Sequence, residues 1–346
     1  MKLNKLLIAV GIASFALASC ENELTKDAKL SVNVATNEGV SFDGQTITVK
    51  KGTPVEFHFN GDPDFLTFFS GEAGKKYEYR DRITVDENDI ESSTLKLDLQ
   101  SQYGKLSAID FHLYVSDNDF PGLYKNKFEE DSVLVEKHEG WKDLIPADQL
   151  PTPTSTKSFE FDMKPYLGKR IVIAVMYKGV DNSQTQPKFF FKNMQIVNKM
   201  TDGSETSLGA GSFGLTALNM LYKHKLNDQK ALSTTAKVTN LAYGTTNKSA
   251  PNISGIWNLE DINNFFIHSS NAKTALKYSW LVSNLLVVNA CTPDAGTGLK
   301  DITENVESYS YTYDKPGTYT ATFVATNGNY KQQKTVVHEY KVVVTE

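Results

Sequence analysis

Cysteine is scarce in this sequence: two in 346 residues, Cys20 and Cys291. Cys20 sits at the end of an apolar leader, which leaves Cys291 alone. A lone thiol forms no internal disulfide and no zinc cluster, so its expected use is that of a small buried apolar group. Stability must come from packing. An excess of positive charge is also missing. Lys and Arg number 36 against 41 Asp and Glu, a formal net charge of −5, and nothing in that balance suggests a nucleic-acid partner. The six histidines, at 58, 112, 138, 224, 268 and 338, form no His-x-x-x-His pair, which argues against zinc hydrolase chemistry. There is no Gly-x-Ser-x-Gly elbow and no Asp-x-Asp-x-Asp-Gly calcium loop. After Ala18 no segment is apolar for long enough to span a bilayer.

Helical periodicity is thin as well. Its best stretches, Ala217 to Lys225 and Leu259 to Phe266, are both short. What fills the chain instead is alternation with a period of two. It runs through Ile47 and Val49, Val55 to Phe59, Leu95 to Leu99, Phe111 to Val115 and Phe159 to Met163. It continues through Phe189 to Ile196, with a bulge expected at Asn193, then Tyr309 to Tyr313, Tyr319 to Ala325 and Val336 to Val344. Gly, Asn, Asp and Pro clusters separate these runs, as β-sandwiches require. The fold class expected is all-β. One glycine motif, Gly209 to Gly214, fits Gly-x-Gly-x-x-Gly, with Asp228 at a plausible distance, yet a dinucleotide fingerprint needs a strand before it and a helix after it. Here a polar turn precedes it, and a loop is expected.

The leader "MKLNKLLIAVGIASFALASC" has lysines at 2 and 5, an apolar run from Leu6 to Ala18, and small residues directly before Cys20. It resembles a bacterial lipobox, which implies a signal peptide over 1–19, lipidation of Cys20 and a linker over 20–27. Glu21 and Glu23 resemble the surface-export signal of Bacteroidota lipoproteins. The expected address is the outer membrane, lipid-anchored and facing the cell exterior.

Three further stretches carry resemblances. "DKPGTYTATFVATNGN", Asp314 to Asn329, is similar to the late strands of polycystic-kidney-disease-type (PKD-like), immunoglobulin-like domains, with Trp280 where such a domain carries its core tryptophan. About five strands follow residue 274 and an immunoglobulin-like sandwich needs about seven, so residues 28–60 are expected to complete it. That makes a discontinuous Ig-like domain, 28–60 plus 274–346, with 61–273 inserted. "FEFDMKPYLGKRIVIAVMYKG" and "PKFFFKNMQIVNK" within the insert resemble the paired strands of galactose-binding-like jelly rolls. "GDPDFLTFFSGEAGKKYEYR", Gly61 to Arg80, resembles the opening signature of a Bacteroidota surface-lipoprotein family whose domain is of unknown function (DUF 5017 type). That resemblance implies a non-catalytic role related to polysaccharide.

Asp62, Asp64 and Glu72 in this opening stretch are best explained as turn residues. Phe65, Phe68 and Phe69 are expected to pack, and a cation at Asp62 and Asp64 is the functional alternative. The cofactor expectation is none, with a structural calcium ion as that alternative. Sugar binding needs aromatic faces flanked by hydrogen-bonding groups, and Trp141, Trp257 and Tyr124 are the candidates in that order. Asp131 to Val133 resembles the O-glycosylation motif of Bacteroidota, which marks Ser132. The expected partner is a polysaccharide or oligosaccharide, bound as an accessory of an outer-membrane glycan-uptake complex. An adhesive module that binds protein is the alternative, and a glycan-active enzyme the least favoured. Replacing Cys20 by Ala is expected to release the protein from the membrane fraction; persistence there contradicts the lipobox reading.

Overall fold

The computed structural model describes residues 26–117, 119–220, 242–246, 255–269, 272 and 276–346. Cys20 with its leader, Asp228, and the 221–225 part of the first helical stretch lie outside the described residues. Within them the protein is all-β, built from sheets stacked in β-sandwich fashion, with a single α-helix, Phe128–Lys137. The chain divides into two compact units, Met1–Asp81 with Asp294–Glu346, and Arg82–Pro293.

The first unit packs a three-stranded sheet, Ser31–Val34, Pro54–Asn60 and Ser308–Thr312, against a six-stranded one. The longest strands of the latter are Gly317–Gly328 and Gln333–Thr345, an antiparallel pair. Thr46–Lys50 joins Gln333–Thr345 in parallel, with Ile47 opposite Val342, so chain ends far apart in sequence share one sheet. Alternation decides which side chains meet. Phe57 from one sheet and Phe68 and Phe323 from the other are all buried, and the Phe57 and Phe323 ring centroids are 4.8 Å apart.

In the second unit, one sheet carries Ile90–Gln102 and Lys188–Met200 at its centre, and the facing sheet carries Ile109–Ser116, Arg170–Gly179 and Tyr278–Val282. Leu95, Leu97 and Leu99 meet Phe111, Leu113 and Val115 in the core between them. The expected bulge is present: the register between Lys188–Met200 and Ile90–Gln102 shifts between Lys192 and Gln195, and Asn193 takes a left-handed φ of 53°. Arg170–Gly179 is buried on both faces. Ile171, Ile173, Val175 and Tyr177 point into the core, whereas Val172, Ala174 and Met176 join a second cluster with Phe120, Phe128 and Val135.

Several expectations need correction. Phe65–Phe69 pairs with Gly317–Gly328 and Thr297–Lys300, so residues 61–81 belong to the first unit rather than to an insert. Tyr278–Val282 pairs with Arg170–Gly179, which puts Trp280 in the second unit and not, as expected, with the C-terminal tail. Hydrogen-bond partners, which local sequence does not display, decide both. Phe68 and Phe69 are buried as expected, but Phe65 is exposed. The stretch Leu259 to Phe266 is a turn leading into the strand Asn264–Ile267, and residues 216–218 are a strand. Gly209 to Gly214 is a 3₁₀ turn burying Ala210 and Phe213 and closed by left-handed Gly214. Cys291 is buried with Val85, Ile90 and Met200. Truncating Phe323 to Ala should cost the first unit about 3–5 kcal/mol by urea denaturation; a loss under about 1 kcal/mol would show that its cluster with Phe57 and Phe68 is not the core.

Candidate functional site

Because one face of Arg170–Gly179 is left to be covered from outside the sandwich, the chain between Asp117 and Asp143 makes an excursion across it. Asp117 anchors that excursion. Its carboxylate accepts from Lys142 Nζ at 2.8 Å and from Lys169 Nζ at 3.1 Å, and these two ammoniums hold it below the usual carboxylate range. The helix Phe128–Lys137 lies in the excursion, with Phe128, Asp131, Ser132 and Val135 on its buried side. Glu129, Glu130 and Asp131 in its first turn suit the positive end of the helix dipole.

Asp131 is wholly buried and its carboxylate is fully used. It accepts from the backbone N–H of Tyr124 at 2.7 Å and of Lys125 at 2.8 Å, and from the Tyr243 hydroxyl at 2.7 Å. Three donors are what a buried carboxylate needs to offset its lost hydration. Burial first, and Asp131 second, push the Tyr243 hydroxyl pKa up, so it remains a donor. This carboxylate fixes the backbone of Tyr124, a residue that is 56 % exposed. The Lys127 ammonium lies 4.7 Å from the centroid of that ring and pairs with Glu130 at 3.2 Å. Tyr124 borders a shallow groove of about 490 Å³, together with Pro121, Val133, Leu134, Glu129 and Glu130. An exposed aromatic ring, an apolar strip and two carboxylates are therefore presented side by side.

Trp141 is in the same excursion but is used differently. Its Nε1–H donates at 2.9 Å to the carbonyl of Val135, one of the helix's unpaired C-terminal acceptors. Its ring lies 5.5 Å from Tyr114, 5.4 Å from Phe120, 5.0 Å from His138 and 5.7 Å from Trp280. It is a half-buried cap over the second cluster rather than an open platform. Beside it His112 stacks on Tyr114 at 4.9 Å and is flanked by Asp110, 2.9 Å from Nε2, and by Asp143 at Nδ1. Burial, then Asp143 and Asp110, push the Tyr114 hydroxyl up to about 12.

Of the other expected residues, Trp257 is wholly buried in a short strand, its Nε1–H donating to Ser279 Oγ at 2.9 Å, so it offers no face to a sugar. Ser132 is wholly buried and donates to the Glu129 carbonyl at 2.9 Å, out of reach of a modifying enzyme once the chain is folded. Asp62 and Asp64 are not brought together. Asp62 faces Lys26 at 3.4 Å and Lys300 at 3.6 Å, while Asp64 accepts from the Gly328 N–H at 3.0 Å. Among the described residues no group of three or more His, Cys, Asp or Glu is placed to hold a metal ion. Sequence reasoning missed Asp131 and the helix that carries it. Its one signal was the acidic run Glu129 to Asp131 after a Pro-Gly turn.

A family model, described as a domain of unknown function (DUF5017), matches residues 19–212, more than half of the chain. Nothing matches among the curated proteins or the solved structures compared.

His138 closes the excursion, with Nε2 2.7 Å from Ser116 Oγ, and burial holds its imidazole below the ordinary 6.5. The fold therefore favours neutral His138. That stabilisation is complete above pH 6.5 and is lost as the pH falls below it. The thermal midpoint should drop more between pH 7 and pH 5 in the native protein than in His138→Gln; parallel curves would contradict this.

Proposed function

The chain belongs to the DUF5017 family of domains of unknown function, and from that premise we propose that it is a non-catalytic, glycan-binding lipoprotein of the bacterial cell surface, an accessory of polysaccharide uptake. The observation that carries the reading is the exposed Tyr124 ring beside an apolar groove flanked by Glu129 and Glu130. Pyranose rings present apolar C–H faces and peripheral hydroxyls, so they stack on an aromatic ring while carboxylates accept their hydroxyl hydrogens. Pre-organisation favours binding, because Asp131 orders the backbone of Tyr124 and Lys125 before any ligand arrives.

The address in this proposal is the outer leaflet of a Bacteroidota outer membrane, reached through lipidated Cys20, with Glu21 and Glu23 as the export signal. No described helix is long and apolar enough to cross a membrane. In the same proposal the first unit is a PKD-like, Ig-like sandwich and the second a galactose-binding-like jelly roll.

Affinity electrophoresis of the lipid-free chain through plant, host and microbial polysaccharides tests the function. At least one polysaccharide should retard the native protein. Tyr124→Ala should weaken binding by about 2 kcal/mol, roughly 30-fold, while Tyr124→Phe keeps it. No retardation by any polysaccharide, or retardation untouched by Tyr124→Ala, would sink the proposal.

A further inference from the structure

The first unit has a cavity of its own, about 410 Å³, on the outer face of its six-stranded sheet. The floor is the alternating row Thr318, Thr320 and Thr322 of Gly317–Gly328, with Glu339 on the next strand, in register with Thr322. The wall comes from the opening stretch: Gly71, Lys76, Tyr77 and Glu78.

This wall is held from several sides. The Ser70 carbonyl accepts from the Tyr313 hydroxyl at 3.0 Å, the Glu72 carboxylate accepts from the hydroxyls of Tyr311 and Ser70, and the Lys76 N–H donates to Asp294 Oδ2 at 2.9 Å. Tyr77 is clasped by the Arg80 guanidinium, 4.0 Å from its ring centroid, and by the edge of Phe69 at 5.3 Å. Gly71 makes the close approach possible. At φ +82° a Cβ there would come within 2.5 Å of the Thr320 nitrogen, so only glycine lets the wall lie on the strand. The acids and glycines of the opening stretch thus build and brace a cavity wall.

One group on the floor is unexplained by the fold. Thr322 is wholly buried, and its hydroxyl oxygen has no hydrogen-bond partner. An unpaired buried hydroxyl is destabilising, and valine would fill the same place on a strand without that penalty. The lining offers three threonine hydroxyls, the carboxylates of Glu78 and Glu339, the Lys76 ammonium and the phenol rings of Tyr77 and Tyr319, a mixture of donors and acceptors with both signs of charge. That chemistry recognises a neutral polyhydroxylated molecule, and the volume is that of a small-ligand site.

We propose that this cavity binds a neutral mono- or disaccharide, with Thr320, Thr322 and Glu339 hydrogen-bonding to its hydroxyls. It is a second saccharide site, in a different unit from the Tyr124 groove and independent of it. The test uses the full chain carrying Tyr124→Ala, so that the groove is silenced and failure of one site is distinguishable from failure of the other. Glucose, galactose, mannose, N-acetylglucosamine, maltose and cellobiose are screened by thermal shift and by saturation-transfer NMR. At least one should raise the melting midpoint and show transfer from tyrosine protons. Thr322→Val should raise the midpoint of the ligand-free protein by about 2–5 °C and abolish the sugar-dependent rise. Glu339→Gln, at an exposed carboxylate, should fold normally and weaken binding at least tenfold. Absence of any shift across the panel would overturn the proposal. So would a shift that survives both Thr322→Val and Glu339→Gln.

Discussion

The run from Ile171 to Tyr177 excludes water from both of its faces, and the second unit is organised by that demand. Its odd-numbered side chains fill the core between the two sheets, which leaves Val172, Ala174 and Met176 in need of a cover from elsewhere. Burying Val172 and Met176 contributes about 1.5–3 kcal/mol each, one part of what offsets the entropy lost when a long connection is ordered across the sheet. The cover is the excursion between Asp117 and Asp143. Phe120, Phe128 and Val135 seal the face, and Trp141 joins them over Tyr114 and Trp280. The proposed glycan surface, made from this cover, rests on the strand beneath it.

The cover has one expensive component, the buried carboxylate of Asp131. Its desolvation is offset only because two backbone N–H groups and the Tyr243 hydroxyl converge on it. Removing the carboxylate would take the shared acceptor from all three donors, so the geometry around Tyr124 is held by a group that cannot be lost cheaply. Tyr124 itself contributes little to the core, being more than half exposed.

The strands were legible wherever one face is apolar. Leu95 to Leu99, Phe111 to Val115 and Tyr319 to Ala325 alternate cleanly, and the bulge at Asn193 shows as a break in that alternation. The helix Phe128–Lys137 was not legible, because its inner side is interrupted by Asp131 and Ser132, polar residues buried by specific hydrogen bonds. Partner choice was equally hidden. Phe65–Phe69 and Tyr278–Val282 read as strands, but nothing within them says which unit they join. Of the three aromatic candidates, Tyr124 stands in the open, Trp141 caps a helix and Trp257 is core. The polar neighbours of Trp257 masked a buried role that its bond to Ser279 makes possible.

The central claim is that glycan engages the excursion at Tyr124, and chemical-shift mapping tests it most directly. With the valine and leucine methyls and the tyrosine rings labelled, an oligosaccharide of the retarding polymer should shift Tyr124, Val133 and Leu134. The buried methyls of Leu95, Leu97 and Leu99 should stay still. Shifts that leave Tyr124, Val133 and Leu134 untouched would contradict the account.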